Sequence, residues 1–400
     1  MGWKLVRAAD FIDFNPRESV PKDAMAKKVA MEQLQPFTRD IPAYEVAPFN
    51  GGSKFRNGDT LMARITPCLE NGKTAQVNIL DDAEVGFGST EFIVLREKPG
   101  VSDKDFIYYL AMSPILRDKA IKSMVGSSGR QRVQQGVMND IEFLVPPLSE
   151  QVEIGRTLRT LDDKITNNTA INHHLEQMAQ ATFKSWFVDF EPFGGEMPAT
   201  WTTGKAEDFF DISIGKTPPR KEPQWFTTNP QDVIWVSISD MGRCGVFISD
   251  SSEYLTAESV AKFNVKVVPS GTVLLSFKLT VGRVAITNGD MTTNEAIAHF
   301  KRSEDTATEY LYCYLKAFDY QSLGNTSSIA TAVNSKTIRA MPFVMPDGKT
   351  LQDFHAATAP LFEQIKVHLE ESARLAALRD TLLPRLMSGG LSVADLGDAK

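Results

Sequence analysis

Cysteine is scarce. Cys68, Cys244 and Cys313 are the three in 400 residues. They are far apart and odd in number, which argues against a disulfide framework and fits a reducing, cytoplasmic setting. No run of 18 apolar residues occurs, so no membrane span and no membrane partner are expected. The opening stretch Met-Gly-Trp-Lys-Leu-Val-Arg lacks the apolar core of a signal peptide. Val6 stands where a myristoylation signal wants Ser or Thr. Positive charge is not in excess either: 43 Lys and Arg face 50 Asp and Glu, for a net charge of −7. Phosphate contacts supply most non-specific affinity for nucleic acid. A chain of this charge that binds DNA must therefore use local clusters or borrow positive charge from a partner.

Catalytic signatures are missing as well. Gly-Lys-Thr occurs at Gly72, Gly215 and Gly348, but a phosphate loop needs another glycine five residues earlier, where Pro67, Phe210 and Phe343 stand. Pro346-Asp347-Gly348-Lys349 brushes a nuclease-like pattern without the separate acidic-x-Lys strand, and a loop before a helix is the simpler reading. No Asn/Asp-Pro-Pro-Tyr/Phe exists for amino-methylation of a base, and no Gly-x-Gly-x-x-Gly. The histidines His173, His174, His299, His355 and His368 show no metal spacing with cysteine. No catalytic residue, metal ligand or bound cofactor is expected in this chain.

What is present is a repeat of half the chain. Trp3 and Asp10-Phe11 return as Trp201 and Asp208-Phe209. Gly58-Asp-Thr-Leu-Met-Ala returns as Gly271-Thr-Val-Leu-Leu-Ser, and Phe143-Leu-Val-Pro as Phe343-Val-Met-Pro. Leu161, Ile165, Leu175 and Met178 return as Leu361, Ile365, Leu375 and Leu378. Each half opens with short strand patterns bounded by Gly, Asp, Asn or Pro. In the first half these are Thr60–Ile65, Phe92–Arg96 and Ile141–Val145. In the second they are Val233–Ile238, Val273–Phe277, Arg283–Ile286 and Ala296–Phe300. Asp105–Met112 and Glu309–Phe318 read as short helices in matching places. The fold class is α+β, with two globular domains in pseudo-two-fold repeat, separated by two long antiparallel coiled-coil helices. The expected boundaries are 1–147, a first long helix at 148–190, 191–348, a second long helix at 349–390, and a tail at 391–400.

The helices are read from spacing. Core-type positions advance by four and three through Ile154, Leu158, Leu161, Ile165, Asn168, Asn172, Leu175, Ala179, Thr182 and Trp186, a heptad seam. At ~1.5 Å per residue it spans roughly 55 Å. The second half repeats it through Phe354, Thr358, Leu361, Ile365, His368, Ser372, Leu375, Arg379, Leu382 and Leu386. Ser149 is expected to cap the first helix, and Thr350 with Asp353 resembles a capping box for the second. Kinks are expected at Pro360 and Pro384. The seams fit antiparallel when paired positions sum to 540. Ile154 then faces Leu386, Leu158 faces Leu382, Ile165 faces Leu375, Leu175 faces Ile365, and Trp186 faces Phe354. Asn168 meets Ser372 and Asn172 meets His368. Leu161 opposite Arg379 is the awkward pair.

These segments resemble a known family. Pro147-Leu-Ser-Glu-Gln-Val-Glu-Ile, then Leu161-Asp-Asp-Lys-Ile and Phe183-Lys-Ser-Trp-Phe-Val-Asp-Phe-Glu-Pro-Phe, resemble the first conserved region of the specificity subunit of Type I restriction-modification systems. Leu375-Ala-Ala-Leu-Arg-Asp-Thr-Leu-Leu-Pro-Arg-Leu-Met-Ser-Gly resembles the second. Gly215-Lys-Thr-Pro-Pro-Arg-Lys with Ile234-Trp-Val-Ser-Ile-Ser-Asp-Met-Gly resembles the start of a target-recognition domain; Arg17-Glu-Ser with Met31-Glu-Gln-Leu resembles its other variant. The resemblance implies a non-catalytic subunit that reads double-stranded DNA as a split target with a non-specific spacer. It implies two methylation subunits as partners, and restriction subunits in the full complex. S-adenosylmethionine, ATP and Mg are then expected on those partners. The competing reading is a scaffold or antirestriction homologue that binds the methylation subunit without productive DNA reading.

Candidate DNA contacts follow from residue type. Arg reads guanine edges and Gln reads adenine edges in the major groove, which selects Arg130, Gln131, Arg132 and Gln134 in a Gly-Ser-rich loop. The corresponding loop of the second half offers Ser327, Ser328, Thr331 and Asn334. Lys216, Arg220 and Lys221 form the densest basic cluster of that half and suit phosphate positioning. Lys54, Arg56, Arg64 and Lys278 are further basic candidates. Trp225 and Trp235 are expected in the core. The helix-seam residues Ile154, Leu158, Leu161, Ile165, Leu175, Trp186, Leu361, Ile365, Leu375, Leu382 and Leu386 are the expected coiled-coil and partner interface.

Overall fold

The computed structural model describes residues 2–127, 129–302, 305–323 and 333–397. The chain divides into two compact units: residues 1–168 with 370–400, and residues 169–369. The two long helices run Leu148–Phe187 and Gly348–Met387, 40 residues each. Each unit therefore contains one half of each long helix.

In the first unit, Lys4–Arg7 pairs antiparallel with Glu142–Val145 and leads into a four-stranded antiparallel sheet. Its strand order is Ile12–Phe14, Phe92–Glu97, Thr60–Ala63, Thr74–Gln76. A second sheet runs Glu45–Pro48, Met25–Val29, Gly86–Gly88, Ser53–Phe55, with Met25–Val29 and Gly86–Gly88 parallel. All four residues of Thr60–Ala63 are buried. Side chains alternate across a strand, and here both faces are covered. Met62 joins the cluster of Phe11, Phe106 and Leu110, whereas Leu61 joins that of Val29, Phe55 and Val94. This explains why the strand reads as a continuous apolar run. The helix Lys104–Met112 follows, capped by Asp103, whose carboxylate accepts from the Asp105 and Phe106 N–H groups.

The second unit repeats the plan. Thr202–Lys205 pairs with Pro342–Met345. A five-stranded sheet runs Asp211–Ile214, Ile297–Lys301, Val273–Ser276, Val284–Thr287, Phe247–Ile248. Val273 and Leu275 face one core and Leu274 another. The helix Thr308–Ala317 takes the place of Lys104–Met112. A four-stranded sheet, Phe226–Thr227, Tyr254–Leu255, Val233–Val236 and Thr292–Thr293, completes the unit. The expected strands and short helices are present with ends shifted by a residue or two.

The long helices run antiparallel in the expected register. In the first unit Ile154, Leu158, Leu382 and Leu386 share one apolar cluster, and Asn168 Nδ2 donates to Ser372 Oγ at 3.3 Å. In the second, Leu175 and Ile365 share a cluster, Asn172 Oδ1 and His368 Nδ1 are 2.8 Å apart, and the Trp186 and Phe354 rings lie 5.8 Å apart. Arg379, the misfit of the seam, turns aside to an acidic neighbour. Its Nη1 donates to Asp162 Oδ1 at 2.6 Å, and Tyr109 donates its hydroxyl to Asp162 Oδ2 at 2.6 Å. Asp162 and Arg379 are both buried.

The caps differ from expectation. The first helix begins at Leu148, so Ser149 lies inside its first turn, and the Glu150 N–H is taken by the Pro147 carbonyl. The second begins at Gly348, one turn earlier than a cap at Thr350 would place it. Asp347 accepts from the Thr350 N–H at 2.9 Å and does the capping. The Pro-Asp-Gly-Lys stretch is thus a helix entrance. The helical run continues through Pro360 and Pro384.

Removing one partner of a buried ion pair strands the other. Asp162→Ala is expected to lower stability by about 3 kcal/mol, read by urea unfolding. Replacing both charges, Asp162→Leu with Arg379→Leu and Tyr109→Phe, is expected to return within about 1 kcal/mol of the parent.

Candidate nucleic-acid interface

The first unit brings several predicted residues together. Arg64 follows the strand Thr60–Ala63 and continues its ladder, its N–H donating to the Glu91 carbonyl at 2.9 Å. The segment containing Arg130 and Arg132 folds back onto this corner. Val125 and Arg132 form a bridge, Ile65 and Arg132 another. The Thr66 N–H donates to the Gln131 carbonyl at 3.0 Å, and the Val133 N–H to the Arg64 carbonyl at 2.9 Å. Residues 66 positions apart in the chain thus share one surface.

Side-chain chemistry then separates them. Arg130 is exposed, and its N–H donates to the Ser127 carbonyl at 3.0 Å. Arg132 grips Glu91: Nε lies 3.0 Å from both carboxylate oxygens, and Nη2 lies 2.7 Å from Oε1. Arg64 Nε reaches the same carboxylate, 3.1 Å from Oε2. Hydrogen bonds from Arg132, and then from Arg64, hold the Glu91 carboxyl below its ordinary range, with burial opposing them. Gln131 is half-buried, and Gln134 is exposed with its Nε2 on the Arg132 carbonyl. Glu91 was missed in the sequence. The signal was its position: antiparallel pairing of Ala63 with Phe92 sets residue 91 opposite Arg64.

Lys54 and Arg56 belong to a different cluster, built on Glu18. Lys54 Nζ donates to the Glu18 carbonyl at 2.9 Å, and Arg56 Nη2 pairs with Glu18 Oε2 at 2.7 Å. Arg96 ties Glu18 Oε1 at 2.6 Å to Asp59 at 2.7 Å. Burial alone would raise the Glu18 carboxyl, yet hydrogen bonds from Arg96 and Arg56 hold it below the ordinary range. Lys54 and Arg56 are thus committed to internal contacts.

In the second unit the basic cluster splits. Lys216 is pinned by its N–H on the Thr293 carbonyl and by Nζ on the Phe263 carbonyl at 2.5 Å. Gly215 beside it leaves no room for a side chain, because a Cβ there would come within 2.1 Å of Thr293 Oγ1. Arg220 makes a fork to Glu253 at 2.8 and 2.9 Å and stacks over Phe226 at 4.1 Å and Trp235 at 4.5 Å. Lys221 is exposed. Trp225 and Trp235 are buried, their indole N–H groups donating to Glu222 and to the Lys216 carbonyl. Lys278 is exposed, 5.6 Å above the Phe277 ring. Leu279 beside it is 86% exposed with φ 62°, at the tip of a turn closed by the Thr280 N–H on the Lys278 carbonyl. No polarity or spacing marked it in the sequence.

Asn334 caps the helix Ser335–Arg339, its side-chain oxygen accepting from the Lys336 and Thr337 N–H groups. Ser327, Ser328 and Thr331 lie outside the described residues. His299 is buried between Ser213 and Thr293, at 3.0 and 2.7 Å, and burial pushes it down to about 3, so it is neutral at pH 7. Among the described residues no group of three or more His, Cys, Asp or Glu is placed to hold a metal ion. No helix is long and apolar enough to cross a membrane.

The seam residues are turned inward. Ile154, Leu158, Ile365, Leu382 and Leu386 are buried; Leu161, Ile165, Leu175, Trp186, Leu361 and Leu375 are half-buried. Their apolar surface is largely used within each unit. Met178 and Leu378, equivalent in the repeat, are instead 55% and 46% exposed.

Residues 2–177 and 198–371 match the family model described as Type I restriction modification DNA specificity domain. The Type I restriction enzyme HindI specificity subunit of Haemophilus influenzae is 25% identical, with 86% of this chain and 88% of that one aligned. The MjaIX specificity subunit of Methanocaldococcus jannaschii is 26% identical over 73% of this chain and 70% of that one. The crystal structure of a Type-I restriction-modification system S subunit from M. genitalium superposes with a TM-score of 0.55, covering 96% of each chain at 13% identity, a likeness of fold alone. With one family model matching both halves of the repeat, the chain belongs to the Type I restriction-modification DNA specificity family.

Proposed function

We propose that this chain is the sequence-reading subunit of a Type I restriction-modification complex, and that it reads a split target, one half-site per recognition domain. The observation that carries this is the duplication: two units of one plan, each with its own sheets and half of each long helix. One domain reads a few base pairs; two of the same plan read two short sites. A separation of roughly one turn of the duplex, about 34 Å, is the geometric expectation for paired readers.

Arg130 is the leading base-reading residue of the first domain, because its side chain is exposed and has no side-chain partner among the described residues. Lys221 and Lys278 are among the exposed cations available to phosphates in the second. Lys54, Arg56 and Arg220 take a lesser part, since carbonyls and carboxylates of their own domain already occupy them.

The chain itself carries no catalysis in this reading. Two methylation subunits dock on the outward faces of the long helices, one near Met178 and one near Leu378, exposed apolar side chains that the repeat presents twice. Methyl transfer to adenine, with S-adenosylmethionine, and cleavage, with ATP and magnesium, belong to those subunits and to the restriction subunits. The scaffold alternative is disfavoured by the exposed arginine loop of the first domain, which docking alone would not require.

The test is to sequence the methylated bases of a host with and without this chain and its methylation subunits. A two-part motif with a fixed gap is expected; no motif, or a continuous one, would sink the proposal. Exchanging residues 1–147 for those of another family member is expected to change one half of the motif and leave the other. Arg130→Ala is expected to weaken target binding by ~1–3 kcal/mol and to relax one position of the first half-site. Footprinting and the methylated motif would check this.

A further inference from the structure

We infer that Glu91 is a positioning residue that holds Arg64 and Arg132 side by side as a two-guanidinium clamp for one backbone phosphate at the first half-site. The inference rests on the DNA-reading function proposed above.

Both Nε groups approach the same carboxylate oxygen, Oε2, at 3.1 Å from Arg64 and 3.0 Å from Arg132. The two cations therefore lie together, although alone they would repel each other and splay. Glu91 cancels that repulsion and leaves the trio with a net charge of +1. A free guanidinium side chain loses rotamer freedom when a ligand fixes it, and the shared carboxylate removes much of that cost before any ligand arrives.

The Nε–Nη2 edge of Arg132, one of its two edges able to make a two-pronged contact, is turned inward to Glu91. Its Nη1, and both terminal nitrogens of Arg64, make no hydrogen bond among the described residues. Two adjacent guanidinium tips match an anion with several oxygens better than one base edge. Exposure has the same sense: the Arg64 and Arg132 side chains are 37% and 43% exposed, and Glu91 is 22% exposed behind them. An approaching anion meets the cations first.

The second domain supplies an internal control. There the Phe277 N–H donates to the Ala296 carbonyl at 2.9 Å, as the Arg64 N–H does to the Glu91 carbonyl. The same sheet corner thus forms without either charge, so folding alone does not require the Arg64–Glu91–Arg132 group.

The experiment uses the assembled complex of this chain with its methylation subunits, on its own target, over a range of salt. Removing an acidic residue beside DNA normally tightens binding; Glu91→Ala is expected to weaken it. One lost phosphate contact predicts roughly a fivefold loss near 0.15 M salt and a salt dependence shallower by about one. The methylated motif is expected to stay the same. Glu91→Gln, which keeps one acceptor, is expected to shift binding the same way by less, and serves if Glu91→Ala does not assemble. Tighter or unchanged binding would overturn the inference. So would a changed motif, which would make these arginines base readers, or a lowered melting temperature with an unchanged salt dependence, which would make Glu91 a fold support. A parent complex that binds no split target would remove the DNA reading itself.

Discussion

Two long helices packed by apolar side chains alone can slide by a heptad at little cost, because one leucine layer resembles the next. Polar pairs that fit in one register remove that freedom. Asn168 with Ser372, Asn172 with His368, and Asp162 with Arg379 meet only when the helices are set as they are here. A one-heptad slip would bury these groups against leucine and isoleucine, and an unpaired buried polar group costs ~1–3 kcal/mol. The cost of including such groups in a seam is some stability; the return is a single alignment.

The recognition domains obey a different constraint. Their central strands, Thr60–Ala63 and Val273–Ser276, are covered on both faces, so each holds two apolar layers at once. A sheet locked in this way leaves variation to the loops at its ends. The corner after each central strand shows the consequence. One domain places Arg64 and Glu91 there, and the other places Phe277 and Ala296 on the same backbone hydrogen bond. Backbone geometry is held while surface chemistry changes.

The acidic balance of the chain becomes intelligible beside these clusters. Many of its cations answer carboxylates of their own domain, as Arg96 does with Glu18 and Asp59 and Arg220 with Glu253. They stiffen loops and corners. Others, among them Arg130, Lys221 and Lys278, are exposed.

The sequence by itself determined the duplication, the α+β class, the two long helices and their register. Each of these depends on spacing along the chain: a repeat near 200 positions, a heptad period, and two seams whose polar positions match. Helix entrances were less legible, because Asp347 competes successfully with Thr350 for the cap by reaching a free N–H one turn earlier. The candidate site was legible only as residue types. Sequence named Arg64, Arg132 and Arg220 as DNA-contact candidates alongside Arg130, and only tertiary structure decided that three of the four are held by Glu91 or Glu253. The reason is physical. A side chain's availability depends on which charges the fold brings within about 3 Å of it, and those partners lie 27, 41 and 33 residues away in the chain, beyond the reach of any local pattern.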